Sequence, residues 1–310
     1  MNYFDLHCDT ATHIFDCRET LHASKGHVSV KKASAIDSWV QVYAIFIDDT
    51  KRKKDAFLYY LAVKDNLLTE MAKKRNDFIQ CRSAEDLQRV KSTGCRGAIL
   101  SVENGAVLGG DARRLHQLEQ DGVKLFTFTW YGENELGFGS AVGGAMKPFG
   151  LEVLRLLPQY GILPDISHLS DEGVEQVFTQ YDGTLVASHS NVRSVTPHYR
   201  SLTDAQIKEI IRRKGLIGTN LYEHFLSEKE NACMDDVYRH IDAFLSLGAE
   251  HTLCFGCDFD GGNVPAEIAD ISGIPQLYEY LLHRGIGEST LADIFYNNAY
   301  HFWERELAKT

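Results

Sequence analysis

The chain has 310 residues, 44% hydrophobic and 24% charged, the balance of a soluble globular protein. Its 32 basic and 43 acidic residues leave a net charge of −11, which disfavours nucleic acid and anionic membrane as partners. No stretch approaches the roughly 18 apolar residues of a membrane span, and no basic region followed by an apolar core opens the chain, so a cytoplasmic location is expected. Apolar, β-rich runs then recur at 3–8, 39–48, 96–103, 123–130, 162–169, 184–190, 215–222 and 251–259. Helical periods separate most of them, at 55–75, 111–121, 150–160, 171–181, 203–214 and 235–247. Thr203-Asp204-Ala205-Gln206 has the form of a capping box. Gly161, Gly183, Gly215 and Gly248 follow helical stretches, as C-terminal glycines do.

Strand runs that are almost continuously apolar imply a parallel sheet buried on both faces. At this length the expected architecture is a single (β/α)8 barrel of the TIM type over residues 1–310. An open doubly wound sheet is the alternative, but its glycine-rich phosphate turn is missing. The polar stretch 10–38 is expected to loop over the first strand. The glycine-rich stretch 131–149 is expected to be an active-site loop, and 275–307 a helical tail that packs Trp303 against the barrel base.

Most strand runs end in a metal-ligand type. The first stops on His7 and Asp9, two residues apart and so on one face. The third ends in Glu103, the fifth in His168, the sixth in His189, the seventh in Asn220 and Tyr222, and the last in Asp258, followed by Asp260. Barrel active sites lie at these carboxyl ends, so the residues are expected to converge on one mouth. Singly, each has an ordinary alternative: a hydrogen-bonded core histidine, or an acid capping the next helix. Together, such groups in one mouth are costly unless paired or bound to metal. Imidazole and carboxylate without thiolate suit Zn²⁺, with Mn²⁺ or Fe²⁺ as alternatives. Five such ligands are too many for one open catalytic zinc and suit two divalent ions sharing a carboxylate. The seven scattered cysteines fit reduced thiols. Cys254 and Cys257 lie on a strand with opposite facing, which favours a structural role over a redox or zinc motif.

Taken in order, these pieces resemble the membrane (renal) dipeptidase family, peptidase family M19, of the amidohydrolase superfamily. Asp5-Leu6-His7-Cys8-Asp9 resembles its D-x-H-x-D, and Val102-Glu103-Asn104-Gly105 its V-E-G-G, with Asn104 in place of a glycine. Asp165-Ile166-Ser167-His168 and Ala187-Ser188-His189-Ser190 resemble its two S-H strand ends. Arg200-Ser201-Leu202-Thr203-Asp204 is similar to R-N-L-T-D, and Gly256-Cys257-Asp258-Phe259-Asp260-Gly261 to G-x-D-F-D-G. The resemblance implies a zinc-dependent dipeptidase acting on L-Xaa-L-Xaa and L-Xaa-D-Xaa through a metal-bridging hydroxide. It implies that His7 and Asp9 hold one ion, His168 and His189 the other, and that Glu103 bridges them. Asp258 is then the proton shuttle, Arg200 the grip on the substrate carboxylate, and Tyr222, in a match to N-F-Y, a further substrate contact. Better-known members carry a His in a strand-four T-x-T-H; here the strand reads Thr127-Phe128-Thr129-Trp130. Trp130 donates through its indole N–H but cannot be protonated, so carbonyl polarisation is expected to rest more on metal, or on Tyr131 or Asn134. The expected partner is a small dipeptide, and the reading leaves room for a homodimer. The runners-up are another binuclear metal amidohydrolase, such as an N-acyl-amino-acid hydrolase, and a metal-binding barrel without turnover.

Overall fold

A computed structural model describes residues 1–73, 78–229 and 231–309. Its strands are β1 (Asn2–Cys8), β2 (Ser38–Phe46), β3 (Phe78–Gln80), β4 (Arg96–Glu103), β5 (Val123–Thr127), β6 (Leu163–Asp165), β7 (Val186–Ala187), β8 (Leu216–Thr219) and β9 (Leu253–Phe255). All pairings between them are parallel, in the order β2-β1-β9-β8-β7-β6-β5-β4-β3, and β2 also pairs with β4 from Val40↔Gly97 to Phe46↔Glu103. That second pairing closes an eight-stranded ring, the (β/α)8 barrel expected from the sequence. β3 lies outside the ring, beside the first residues of β4, and the sequence reading did not anticipate it.

The helices are α1 (Thr10–Asp16), α2 (Lys53–Met71), α3 (Ala84–Thr93), α4 (Arg114–Asp121), α5 (Pro148–Leu156), α6 (Asp171–Gln180), α7 (Asp204–Arg212), α8 (Glu223–Leu226), α9 (Met234–Ser246), α10 (Ile274–His283), α11 (Glu288–Ala292) and α12 (Asn298–Leu307). The expected helix at 55–75 is α2; positions 74 and 75 lie outside the described residues. The stretch 10–38 is not all loop, because α1 starts directly after Asp9. Thr203 does form the capping box: its hydroxyl accepts from Gln206 N–H while Gln206 accepts from Thr203 N–H. Gly161 and Gly248 take the left-handed conformation expected after a helix. After α7 that conformation falls one residue early, on Lys214 with φ 53°, so Gly215 does not supply it, and Gly183 is not left-handed either. Among the described residues no helix is long and apolar enough to cross a membrane.

One apolar cluster draws Phe4, Leu6, Val40, Val42, Ile99, Leu125, Val186, Leu216 and Cys254 from around the ring and joins them to Tyr300, Phe302, Trp303 and Leu307 of α12. It fills the barrel interior and its base. Above this plug β1 slips: Asp5 pairs with Gln41 but Cys8 with Tyr43, an extra residue on β1. Asp5 Oδ1 holds the irregularity by accepting from His7 N–H (3.0 Å) and Cys257 N–H (3.0 Å). The bulge changes facing, as bulges do: Phe4 and Leu6 lie in the interior cluster, whereas His7 and Asp9 enter the mouth. The ends of the ring meet here, with Asp9 N–H donating to Phe259 O (2.8 Å) and Asp258 N–H to His7 O (3.2 Å). Cys254 is in the interior plug and Cys257 lies 2.9 Å from the Tyr3 hydroxyl, so the C-x-x-C pair is split between two packed environments.

β6 and β7 end earlier than the apolar runs suggest. Asp165 Oδ1 accepts from Ser167 N–H (2.9 Å) and Ser188 N–H (3.0 Å), so backbone donors that would extend the ladder go to a side chain instead. Gly256 lets the backbones close in at this level, since a Cβ there would lie 1.7 Å from Ser188 O.

Candidate active site

Glu103 ends β4 with a nearly sealed side chain, 3% exposed, and its two oxygens serve two sides of the mouth. Oε2 lies 3.4 Å from His7 Nε2, and Oε1 lies 2.8 Å from His168 Nε2 and 3.6 Å from His189 Nε2. His7 Nε2 is 3.9 Å from Asp9 Oδ1 and 3.7 Å from Asp258 Oδ1. The two ring nitrogens of His168 and His189 face each other at 2.9 Å. Three donor sets result, His7/Asp9/Glu103, Glu103/His168/His189 and His7/His189/Asp258, each with ligand atoms within 4.8 Å of one another.

The donor set fits divalent cations. His7 Nε2, Asp9 Oδ1 and Glu103 Oε2 are buried without a hydrogen-bond partner, a costly state that a bound cation relieves. The titrations of the cluster divide: His168 and His189 are held in the neutral form that ligates metal, whereas the carboxylates around His7 hold it protonated. Burial alone would raise the Glu103 carboxyl, but His7 and His168 hold it well below the usual range. Burial disfavours a charged His7, yet Glu103, Asp9 and Asp258 push it up to about 10. Burial, with Glu103 and Asp258 nearby, drives Asp9 well up. Burial, reinforced by Arg200, lowers both His168 and His189, leaving neutral imidazoles of the kind that ligate metal.

His189 is oriented from behind. Its Nδ1 lies 2.7 Å from Ser188 Oγ, and Ser188 Oγ donates to Asp165 Oδ2 at 2.5 Å, with Thr127 Oγ1 donating to the same oxygen at 2.7 Å. With Ser188 spending its proton on Asp165, His189 must donate from Nδ1, which leaves Nε2 free to accept a cation. Sequence reading missed Asp165 and Ser188 in this role. Their one signal was an acid inside an apolar strand run two residues before Ser167.

Left-handed backbone marks several strand ends: Asn104 (φ 83°), His168 (φ 67°), Asp258 (φ 61°) and Asp260 (φ 69°). Non-glycine residues in that region cluster at functional sites. Asn104 stands where the family resemblance has glycine, and asparagine tolerates this conformation. Its side chain also donates to Ile47 O (2.8 Å) and Asp49 Oδ1 (2.9 Å). Asp258 Oδ2 accepts from Asn220 Nδ2 at 3.0 Å, a bond between two residues that the sequence placed at one mouth without pairing them. Asp260 lines the same cavity as Asp258, with its two oxygens accepting from the outer loops, from Thr10 Oγ1 (2.6 Å) and His27 N–H.

Arg200 is 5% exposed and sits behind His189. It donates to Ser190 Oγ (3.0 Å) and His189 O (2.9 Å), its Nε has no partner, and among the described residues no carboxylate pairs with it. Trp130 packs edge-on against Phe46 (4.8 Å) and Tyr131 (4.8 Å), and Tyr131 edge-on against His168 (5.3 Å). These aromatics, with Tyr222, Asp9, Glu103, His168 and Asp258, line a cavity of ≈ 460 Å³. The glycine-rich loop is braced at its start and middle. Asn134 Nδ2 donates to Asn104 Oδ1 (2.8 Å) and Phe128 O (2.7 Å), and Ser140 N–H donates to His168 O (2.7 Å). Asn134 is therefore occupied in holding the loop.

The same barrel and sequence pattern occur in known proteins. The sequence model of the membrane dipeptidase family (Peptidase family M19) matches residues 1–310. A protein from the pqqA 5′ region of Klebsiella pneumoniae is 26% identical over 241 residues, 73% of this chain and 87% of that one. Among solved structures, the metallopeptidase dipeptidase AC superposes with a TM-score of 0.93 at 26% identity over 99% of both chains. A metallopeptidase from Rhodobacter sphaeroides, liganded with a phosphinate mimic of the dipeptide L-Ala-D-Ala, gives 0.92 at 25% identity, also over 99% of both chains. With a match along its whole length and a sealed cluster of metal donors at the barrel mouth, the chain belongs to the membrane dipeptidase family, peptidase family M19, as a metal-dependent dipeptidase.

Proposed function

We propose that the enzyme cleaves dipeptides with a free α-carboxylate, of L-Xaa-L-Xaa and L-Xaa-D-Xaa type, using two zinc ions. The carrying observation is the division of Glu103, one oxygen toward His7 and the other toward His168 and His189. In this reading His7 and Asp9 hold one ion, His168 and His189 the other, and Glu103 both; imidazole and carboxylate without thiolate suit zinc. Bound ions supply Lewis acidity, making water nucleophilic near neutral pH and polarising the peptide carbonyl. The protein's own residues do the rest. Asp258, held through Oδ2 by Asn220 with Oδ1 toward the ligand set, takes a proton from the attacking water. It returns that proton to the amine nitrogen as the C–N bond breaks. Arg200, buried without a carboxylate partner, receives the substrate's carboxylate, which its planar fork matches. Tyr222 and Trp130 wall the cavity and confine the peptide. The ligand held by the Rhodobacter sphaeroides neighbour supports tolerance of a D-residue at the carboxyl end. The proposal also takes residues 1–310 as one catalytic unit acting in the cytoplasm.

The test is release of amino acids from L-Ala-L-Ala, L-Ala-D-Ala and matched tripeptides, with and without Zn²⁺, alongside elemental analysis. Hydrolysis of both dipeptides, little action on tripeptides and about two equivalents of zinc are expected. Longer peptides cleaved as fast as dipeptides would refute the reading, and saturation at one ion would refute the bridged pair.

A further inference from the structure

The cavity beside the ligand set does not end at its aromatic wall. Tyr131 and Tyr222 also border a second chamber of ≈ 630 Å³, shallower and more open to solvent than the first, whose other walls include His198, Tyr199, His224 and Phe225. Its rings already pack on one another, edge-on around Tyr222 and tilted around His198. His198 lies 4.2 Å from Tyr199 and 4.8 Å from Phe225, and Tyr222 lies 5.1 Å from His224 and 4.8 Å from Phe225. Tyr199 is 48% exposed, one of few large apolar side chains left open to this degree among the described residues. The Arg200 guanidinium sits 5.8 Å from the Phe225 ring centre and is the chain neighbour of Tyr199.

We propose that this chamber is the subsite for the side chain of the substrate's carboxyl-terminal residue, and that it selects an aromatic side chain there. The inference rests on Arg200 as the carboxylate grip. A residue whose carboxylate lies on Arg200 projects its side chain from the adjoining carbon, and the guanidinium has the Phe225 ring 5.8 Å away and Tyr199 as its chain neighbour. Room alone argues for a large group. The mouth at ≈ 460 Å³ already falls within the range of about 300–1,000 Å³ that holds a drug-sized ligand, so the chamber is space beyond a small dipeptide. Chemistry argues for a planar one. Offset and edge-on ring pairs add attraction beyond area burial, and an exposed Tyr199 offers a ring face. Among the described residues, the charges at the chamber, Glu228 and Lys229, are of opposite sign and favour neither an acidic nor a basic side chain.

The zinc-loaded enzyme is tested on an L-Ala-Xaa series with Xaa alanine, leucine, phenylalanine and tyrosine in both configurations, together with L-Phe-L-Ala. In the faster configuration, kcat/KM should be about tenfold or more higher for phenylalanine and tyrosine than for alanine, chiefly through KM, with leucine between. Tyr199→Ala should lower the phenylalanine-to-alanine ratio about fivefold, and Tyr199→Phe should preserve it. A flat series overturns the subsite while leaving the dipeptidase reading intact. So does an aromatic preference confined to L-Phe-L-Ala, or an equal loss on both substrates in Tyr199→Ala. No hydrolysis of any member overturns both.

Discussion

Asp258 is a favourable place to separate charge from conformation. Its φ of 61° is a region that asparagine tolerates, so Asp258→Asn removes the carboxylate without forcing the chain to move. Turnover should fall about 10²-fold or more, the scale of lost general acid–base catalysis, while zinc content by elemental analysis stays at the wild-type value. Near-normal turnover would assign the proton to another group. Arg200 calls for a comparison of substrates. Arg200→Ala should cost about 1.5–3 kcal/mol in kcat/KM on a dipeptide, the scale of a charged hydrogen bond. The loss should shrink on the dipeptide amide, which has no carboxylate; equal losses on both would point to a packing role. At this scale the sequence was legible where a ligand type ends an apolar run, as at His7, Glu103, His168 and His189. It was not legible for Asp165, Ser188 and Asn220. Their meaning lies in bonds to residues distant in sequence, or in a proton spent on a neighbouring strand.

Among the elements, α9 carries a titration that the mouth does not share. His240 is fully buried on it; Val192 N–H donates to Nδ1 (3.2 Å) and Nε2 lies 3.1 Å from Leu226 O. A ring that accepts at Nδ1 is neutral, and burial lowers its pKa to about 4. The unfolded histidine protonates near 6.5, so the folded state binds fewer protons between the two values. The associated stability is fully present above about pH 6.5 and is lost as pH falls toward 4, in all on the order of 3 kcal/mol. Urea unfolding of wild type and His240→Gln should show a stability difference that shrinks from pH 7 to pH 4.5; a constant difference would contradict it. Element positions followed from periodicity, but lengths did not. β6 and β7 are cut short by the Asp165 side chain, α1 stands where polar composition implied loop, and β3 is too short to show a period.

For the whole molecule, Asp9, Glu103 and Asp258 share one mouth with the unpartnered atoms of His7 and Glu103. Metal is therefore expected to stabilise the barrel as well as serve it. Zinc at 100 times its dissociation constant adds about 2.7 kcal/mol, which for a chain of this size corresponds to roughly 4 °C in Tm. Differential scanning fluorimetry with and without chelator should show that loss, restored by zinc; an unchanged Tm would mean that the charges are relieved by other means. Eight alternating runs made the barrel legible. The pairing that closes it was not, because β2 must bypass β3 to reach β4, and no local pattern encodes which strand a distant one will meet.

The bonds that join the two ends of the ring, from Asp9 to Phe259 and from Asp258 to His7, also set a timetable. The first and last strands supply His7, Asp9 and Asp258 to one point, although some 250 residues of chain separate them. A nascent chain exposes His7 but has no Asp258 to place beside it until some 250 further residues have been made. Hydrolytic competence then arrives with the last strand, and the growing polypeptide carries only fragments of a peptidase until the ring shuts.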